Sequence, residues 1–442
     1  MIRVDAVVIG GGVLGCFAAR NLSRWSVSTA LVEKEPDVCT GITKANSAIV
    51  YAGYDNKPGS QKALMTVNGN SHFDTLCKEL DVPFSRCGSL MVTYDKESLP
   101  DLHHKLETGI ANGIPGLKLL SGQETIALEP MLRPGIAGAL YAPSTGTVNP
   151  WSLGIAAYEN AIHNGVIPFL NTCITDIQKT HDGYCLKSNQ ETILCKCVIN
   201  CSGLWSDQVQ ELCFPRDIRL SWDGAEYLVL NRLAAKPGHI IFQQAQSCGK
   251  GITIIPCTEG NLLLSGIRKP LGIPFATTVE GIAALKATAQ NILTVFDEAM
   301  VIRSFAAVRP NPYRINGEGL HDFCIENPAP GFYSLIGIKT PGLTCANELG
   351  MHLAGEIAAY LNAKPNPSFD PCRKRILQIE DSDIICQCEG ITRSQVLEAI
   401  RRGASTLDGV KHRVGSGMGP CQGSRCSFAI SRILEEQNHG TH

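Results

Sequence analysis

An α/β chain of more than one domain, closed by a small thiol-bearing unit, is the fold class the sequence predicts. Three observations predict it. An apolar, β-branched run from Val4 to Ile9 enters a glycine-rich turn and then a helical apolar pattern. Strand-like runs that end in glycine turns recur far downstream, at 197–203 and 332–342. Four cysteines, Cys386, Cys388, Cys421 and Cys426, gather near the C-terminus. At 442 residues the chain exceeds what one hydrophobic core usually organises.

Composition bounds the class. Hydrophobic residues make up 44% and charged residues 18%, as in ordinary globular proteins. A net charge of −2 gives no footing for nucleic acid. No uncharged apolar run reaches the roughly 18 residues of a membrane span. The opening "MIRVDAVVIGGGVLGC" carries Asp5 and lacks a basic leader region, so it reads as strand and turn. The 19 cysteines are an odd number, which suits a reduced, cytoplasmic chain whose thiols mostly pack as small apolar groups.

The first element is the most informative. In "VDAVVIGGGVLGCFAARNL", Gly10, Gly12 and Gly15 fit G-x-G-x-x-G. The three glycines serve a tight turn, the approach of a pyrophosphate and close helix–strand packing. Val13 and Leu14 open the helix, whose N-terminal N–H groups face the phosphates. Val13, Leu14, Phe17, Ala18 and Leu22 give it an apolar face. A second strand, "STALVEK", ends at Glu33-Lys34, and Glu33 lies 18 residues past Gly15, near the spacing of an acid that binds ribose hydroxyls. The motif by itself does not separate FAD from NAD.

Later elements favour FAD. "CVINCSGLWSD" is a strand running into Ser202-Gly203. "FYSLIGIKTPGLTCANELG" is a strand, a Pro341-Gly342 turn and a helix through Leu343 and Thr344. A helix N-terminus at Gly342 can point its dipole at a flavin carbonyl. Segments so scattered suit an interleaved flavoprotein better than a simple NAD domain.

These stretches, with "TKANSAIVYAGYDNKPGSQKA" and "FAAVRP", resemble the glycerol-3-phosphate dehydrogenase and L-2-hydroxyglutarate dehydrogenase branch of the D-amino-acid-oxidase-like flavoproteins. The resemblance covers roughly residues 1–365. It implies a Rossmann-type FAD-binding domain over 1–80, 145–215 and 326–362, interleaved with an antiparallel-sheet substrate domain over 81–144 and 216–325. It implies hydride transfer from a carbon bearing OH or NH. Asn46, Ser47 and Tyr51 fall in the segment that faces the flavin. Tyr51 stands where relatives commonly carry His, and a phenol with a pKa near 10 is a poor base at neutral pH. Arg309 matches an arginine that faces the cavity, suited to a carboxylate or phosphate. Lys339 adds a cation before the Pro341-Gly342 turn, and Lys250 and Arg268 could add charge at the cavity edge. Each of the three also reads as plain surface.

The closing segment answers to different chemistry. "NAKPNPSFDP" reads as a linker, placed at 363–379, before a small helical unit at 380–442. In "GITRSQVLEAIRRG", Thr392 or Ser394 can cap a short amphipathic helix. The thiols are spaced C-x-C, then 32 residues, then C-x₄-C. Four thiolates hold zinc or an iron–sulfur cluster, but C-x-C is tighter than the usual zinc pair. Glycine loops such as "GSGMGPCQG" leave backbone N–H groups for cluster sulfurs. The pattern resembles the bacterioferritin-associated-ferredoxin-like [2Fe–2S] domain that ends the large subunit of anaerobic glycerol-3-phosphate dehydrogenase. Arg393, Arg401, Arg402, Lys411, His412, Arg413 and Arg425 make the unit basic. They read as solvated surface, as compensation for a negative cluster, or as a dock for an acidic partner. In "CKCVINC", Cys195, Cys197 and Cys201 read as packing residues sharing one face of a strand.

The expectation is an FAD- and [2Fe–2S]-dependent dehydrogenase of a small anionic hydroxy compound. Electrons would pass to a redox partner protein, a second flavoprotein or a quinone-linked subunit, in a cytoplasmic hetero-oligomer held peripherally at the membrane through that partner. Alternatives are a secondary-amine (amino-acid or opine) dehydrogenase and an electron-transfer subunit with a vestigial substrate site.

Overall fold

A strand with branched apolar side chains on both faces is stable only when both faces are covered. Ala6–Ile9 is buried along its whole length. In the computed structural model, which describes residues 1–215, 217–232, 236–244, 251–269, 275–376 and 382–439, this strand lies inside a six-stranded sheet. The order is Ile167–Phe169, Thr29–Val32, Ala6–Ile9, Cys197–Asn200, Phe332–Ile336 and Cys324–Ala329. All neighbours are parallel except the last pair. Helices Val13–Leu22, Gln61–Glu79, Pro150–His163 and Gly342–Leu361 supply the apolar cover of one face. A four-stranded sheet of Ile2–Arg3, Thr192–Cys195, Gly183–Ser188 and Ile174–Thr180 covers the other.

The cysteines of "CKCVINC" are sorted by this layering. The chain leaves the four-stranded sheet at Cys195 and enters the parallel sheet at Cys197. Cys195 packs between the two sheets, whereas Cys197 and Cys201 face the helices. All three are buried packing residues, but they do not share one face, because Lys196 marks a change of sheet.

A third, eight-stranded sheet roofs the C-terminal ends of the parallel strands. Its order is Val301–Arg314, Ile218–Leu230, Leu262–Lys269, Thr253–Pro256, Ile240–Gln243, Ser89–Thr93, Gly138–Ala142 and Lys118–Ser121. Pairing is antiparallel throughout, save Ile240–Gln243 beside Ser89–Thr93. The two longest strands form a ribbon in which Asp223 opposes Arg309, Ala225 opposes Ala307 and Tyr227 opposes Phe305. Opposed residues share a face, and Tyr227 stacks on Phe305 at 4.6 Å.

Residues 362–376 connect the flavin-type layers to the terminal unit, but as a strap tied along the helices. Arg24 lies over the Phe369 ring at 4.5 Å. The Asp370 carbonyl accepts from Asn160 and Asn164, and Arg373 pairs with Glu159 at 2.8 Å. The terminal unit has a hairpin of Ile384–Cys386 and Ile391–Thr392 and helices Arg393–Arg401, Leu407–Val414 and Ser427–His439. Val396, Ala399, Val410, Ile430 and Ile433 form its core. Thr392 caps the first helix in a reciprocal pair with Gln395, so the cap falls on Thr392 and not Ser394. Among the described residues, no helix is long and apolar enough to cross a membrane.

Candidate functional site: a dinucleotide cavity and a thiol loop

Five parallel strands end at the same rim, and the turns that follow them line one cavity of about 2240 Å³. Ligands of open α/β sheets sit at this edge. Gly10 has φ of +103°, and a β-carbon there would lie 2.6 Å from the Cys201 carbonyl oxygen. A β-carbon on Gly15 would lie 1.8 Å from the Gly10 carbonyl oxygen, so helix and turn touch. Gly12 differs: the nearest atom to its β-carbon position is Thr43 Oγ1 at 3.4 Å, and the position opens on the cavity. Gly12 is also the N-cap of the Val13–Leu22 helix and makes no side-chain cap bond. Thr43, which sequence reading passed over, accepts from the Val13 N–H at 3.0 Å.

Glu33 is buried and accepts from the N–H of Gly11 at 2.5 Å and of Glu35 at 3.0 Å. Burial raises its pKa despite these bonds. Beside it, the Lys34 ammonium sits 4.0 Å from the Trp205 ring centroid, with Glu35 2.9 Å away. Val13, Leu14, Ser202 and Gly203 also line this end of the cavity. Ser202 donates its hydroxyl to Asn200 at 2.6 Å.

The other end lies under the eight-stranded sheet. Tyr51 stacks on Phe242 at 6.1 Å, and its hydroxyl is 3.4 Å from Ser47 Oγ. The Tyr51 N–H donates to Thr344 Oγ1 at 3.0 Å, which joins this segment to the helix that begins at Gly342. That helix has Pro341 as N-cap without a side-chain cap bond, and Pro341, Gly342 and Leu343 line the cavity. Asn46 lines it too, but its side chain is committed to its own turn. It donates to the carbonyls of Ile42 and Thr43 and accepts from the Ala48 N–H. Arg309 reaches the cavity from the ribbon, and its buried Nε has no hydrogen-bond partner. Two residues along the same strand, Asn311 accepts from Lys339 Nζ at 2.9 Å. Lys339 thus reaches the strand that carries Arg309, and both line the cavity. Arg268 opposes Ala225 in the sheet register, but its side chain lies outside the described residues, as does Lys250.

The thiols of the terminal unit stand in two pairs. Cys388 neighbours Cys421, and Cys426 neighbours Cys386. Among the described residues, no three potential ligands gather round one point as a mononuclear metal requires. Two pairs of thiols suit a two-iron cluster better than a single zinc. The backbone N–H of Gly423 lowers the pKa of Cys421, helped by the Cys388 thiol, the Arg425 N–H and the Ser424 hydroxyl. Burial pushes Cys426 up to about 11. The fold of the loop is tight, since a β-carbon on Gly419 would lie 2.5 Å from Cys388 Cβ.

The basic residues of this unit are not a uniform solvated surface. Arg413 is buried against Asp37 and Glu159, and Arg402 also reaches Glu159, at 3.1 Å. Arg401 pairs with Glu398 and Arg393 with Glu436, both within the unit. Lys411 is held below its usual pKa by burial, then by Arg303.

Comparison with known proteins agrees with both halves of this geometry. Residues 5–356 match the model of the FAD dependent oxidoreductase family. The chain belongs to that family. Residues 384–436 match the BFD-like [2Fe-2S] binding domain. This FAD dependent oxidoreductase is 37% identical to the glycerol 3-phosphate dehydrogenase of Caloramator mitchellensis, over 98% of this chain and 94% of that protein. It is 28% identical to the glycerol 3-phosphate oxidase of Mycoplasma pneumoniae, over 82% of this chain and 96% of the oxidase. The solved structure of the reduced, FAD-bound oxidase from the same organism superposes with a TM-score of 0.76 at 26% identity, covering 84% of this chain and 99% of that one. FAD and a [2Fe–2S] cluster are therefore its cofactors. The room at Gly12, the buried Glu33 carboxylate and the paired thiols fit them.

Proposed function

We propose that this enzyme oxidises glycerol 3-phosphate, or a close anionic 2-hydroxy compound, and sends the electrons through its terminal cluster to a partner protein. One observation carries the substrate reading: Arg309 lines the cavity and its buried Nε–H has no hydrogen-bond partner, two residues from Asn311, which holds Lys339. An orphaned buried donor is costly unless a ligand accepts from it. A phosphate or carboxylate is the natural acceptor, because guanidinium geometry matches it. The likeness to a glycerol 3-phosphate dehydrogenase across nearly the whole chain supports phosphate.

When bound, the flavin accepts a hydride from the hydroxyl-bearing carbon. The chain's own work is placement. Gly10, Gly12, Val13, Leu14 and Gly15 present backbone to the pyrophosphate, and Glu33 accepts from ribose hydroxyls, with Lys34 beside it. Arg309 and Lys339 hold the substrate's anionic end. Tyr51 and Ser47 offer two neighbouring hydroxyls that orient the substrate hydroxyl. A hydroxyl is a weak base at neutral pH, so this pair orients the substrate hydroxyl, and its proton passes to solvent water as the hydride leaves. Cys386, Cys388, Cys421 and Cys426 would hold the cluster, which would supply one-electron transfer. The acceptor is a second flavoprotein or a quinone-linked subunit.

The test is an anaerobic substrate panel, read as loss of flavin absorbance. Glycerol 3-phosphate should bleach the flavin well ahead of L-2-hydroxyglutarate, glycerol and glycine. Bleaching by an amino acid alone would replace this reading with the amine one.

A further inference from the structure

Arg413 sits in the helix Leu407–Val414 of the cluster unit, yet its side chain is 0% exposed. Its Nη1 lies 2.5 Å from Asp37 Oδ2 and its Nη2 2.9 Å from Asp37 Oδ1, a two-pronged fork. Its Nε stands 3.6 Å from Glu159 Oε1, within ion-pair reach but too far for a hydrogen bond. Glu159 Oε2 receives Arg373 at 2.8 Å and Arg402 at 3.1 Å. Two acids of the dinucleotide-binding layers thus hold two arginines of the cluster unit and one of the strap. Trp151, on the helix that carries Glu159, stacks with His412 at 5.2 Å.

Neither acid lines the cavity, so the network is not part of the substrate site. Stability alone accounts for it poorly, because a buried ion network seldom outperforms packed apolar residues of the same volume. What such a network supplies is a defined orientation: only one docking pose satisfies every charge. The pose is referred directly to the dinucleotide turn. Asp37 Oδ1 accepts from the Val38 N–H at 2.8 Å. The next residue, Cys39, donates its N–H to the Gly11 carbonyl at 2.8 Å.

We infer that Arg413 is a positioning residue: through Asp37 and Glu159 it locks the cluster unit onto the dinucleotide-binding layers in one pose and so fixes the gap that electrons cross. The second half of this statement rests on the electron route proposed above. The lock itself does not.

The test uses the holoprotein and the variants Arg413→Met and Glu159→Gln. Hydrogen exchange should quicken in peptides covering 150–163 and 407–414 in both variants. Bleaching of the flavin by glycerol 3-phosphate should keep its wild-type rate. Reduction of the cluster by the same substrate, followed by freeze-quench electron paramagnetic resonance, should slow clearly relative to the wild type, since the gap is no longer held in one pose. Wild-type exchange in either folded variant overturns the lock. Quickened exchange with wild-type cluster reduction overturns the positioning role. If Arg413→Met does not accumulate, Glu159→Gln decides alone. If substrate fails to reduce the cluster in the wild type, the electron route falls, while the exchange comparison still decides the lock.

Discussion

At Gly12 the turn leaves room for a β-carbon, and that room faces the cavity. An acid placed there would meet the pyrophosphate. Gly12→Asp should therefore fold, since its β-carbon would meet only Thr43 Oγ1, at 3.4 Å, and should purify with its iron but without flavin. Normal flavin content would refute the pyrophosphate assignment. Arg309 makes the complementary case. Arg309→Met should cost about 1.5–3 kcal/mol of binding to the anionic end, which is about one to two decades in kcat/KM for glycerol 3-phosphate. Unchanged kinetics would remove Arg309 from the site. The two residues also differ in how readable they were. Gly10, Gly12, Gly15 and Glu33 lie within one strand–helix–strand unit, so local spacing announces them. The meeting of Lys339 with the strand of Arg309 and Asn311 depends on sheet register and on a turn beyond the ribbon, which no local pattern encodes. Asn46 lines the cavity where the flavin segment was expected, and its amide also closes its own turn, which no spacing announces.

Among elements, the glycine-dense loop around Cys421 carries the clearest commitment. Backbone N–H groups already aim at the Cys421 sulfur. The holoprotein should contain about two irons and two sulfides per chain. Cys421→Ser should lose both while flavin bleaching by substrate persists, because hydride transfer takes place under the eight-stranded sheet. A variant that kept its iron would show that Cys421 is not a ligand. The helix Leu407–Val414 makes a pH prediction. Burial lowers the pKa of His412 from 6.5 to about 4. Between these values the unfolded chain binds the proton and the folded chain does not, so stability falls as pH drops through that window. His412→Phe keeps a ring against Trp151 and removes the titration. Its melting temperature should decline less than that of the wild type between pH 6.5 and pH 4. Parallel curves would mean that His412 protonates without cost in the folded state. The start of the helix Arg393–Arg401 was legible to within two residues, at Thr392 or Ser394, while its reciprocal partner Gln395 shows only in the fold. The change of sheet at Lys196 was not, because alternating buried residues look alike whether one strand or two carry them.

For the whole molecule, sequence motifs indicated a flavin fold followed by a cluster fold, but not how they meet. Arg413 and Asp37 are 376 residues apart, and each alone reads as an ordinary surface charge. Only the assembled chain shows them buried together. The strap at 362–376 carries the same lesson: a Pro- and Asn-rich segment reads as a spacer, yet Asn160 and Glu159 bind it down. On the electron route proposed above, the two halves docked in this way form one device in which a two-electron oxidation feeds a one-electron carrier. That coupling is most directly tested by mixing anaerobic holoprotein with glycerol 3-phosphate, with no external acceptor, and recording flavin absorbance and the cluster's paramagnetic signal together. The flavin should bleach and the reduced-cluster signal should then rise in the same molecules. Bleached flavin beside a cluster that stays oxidised, although dithionite can reduce it, would contradict the account.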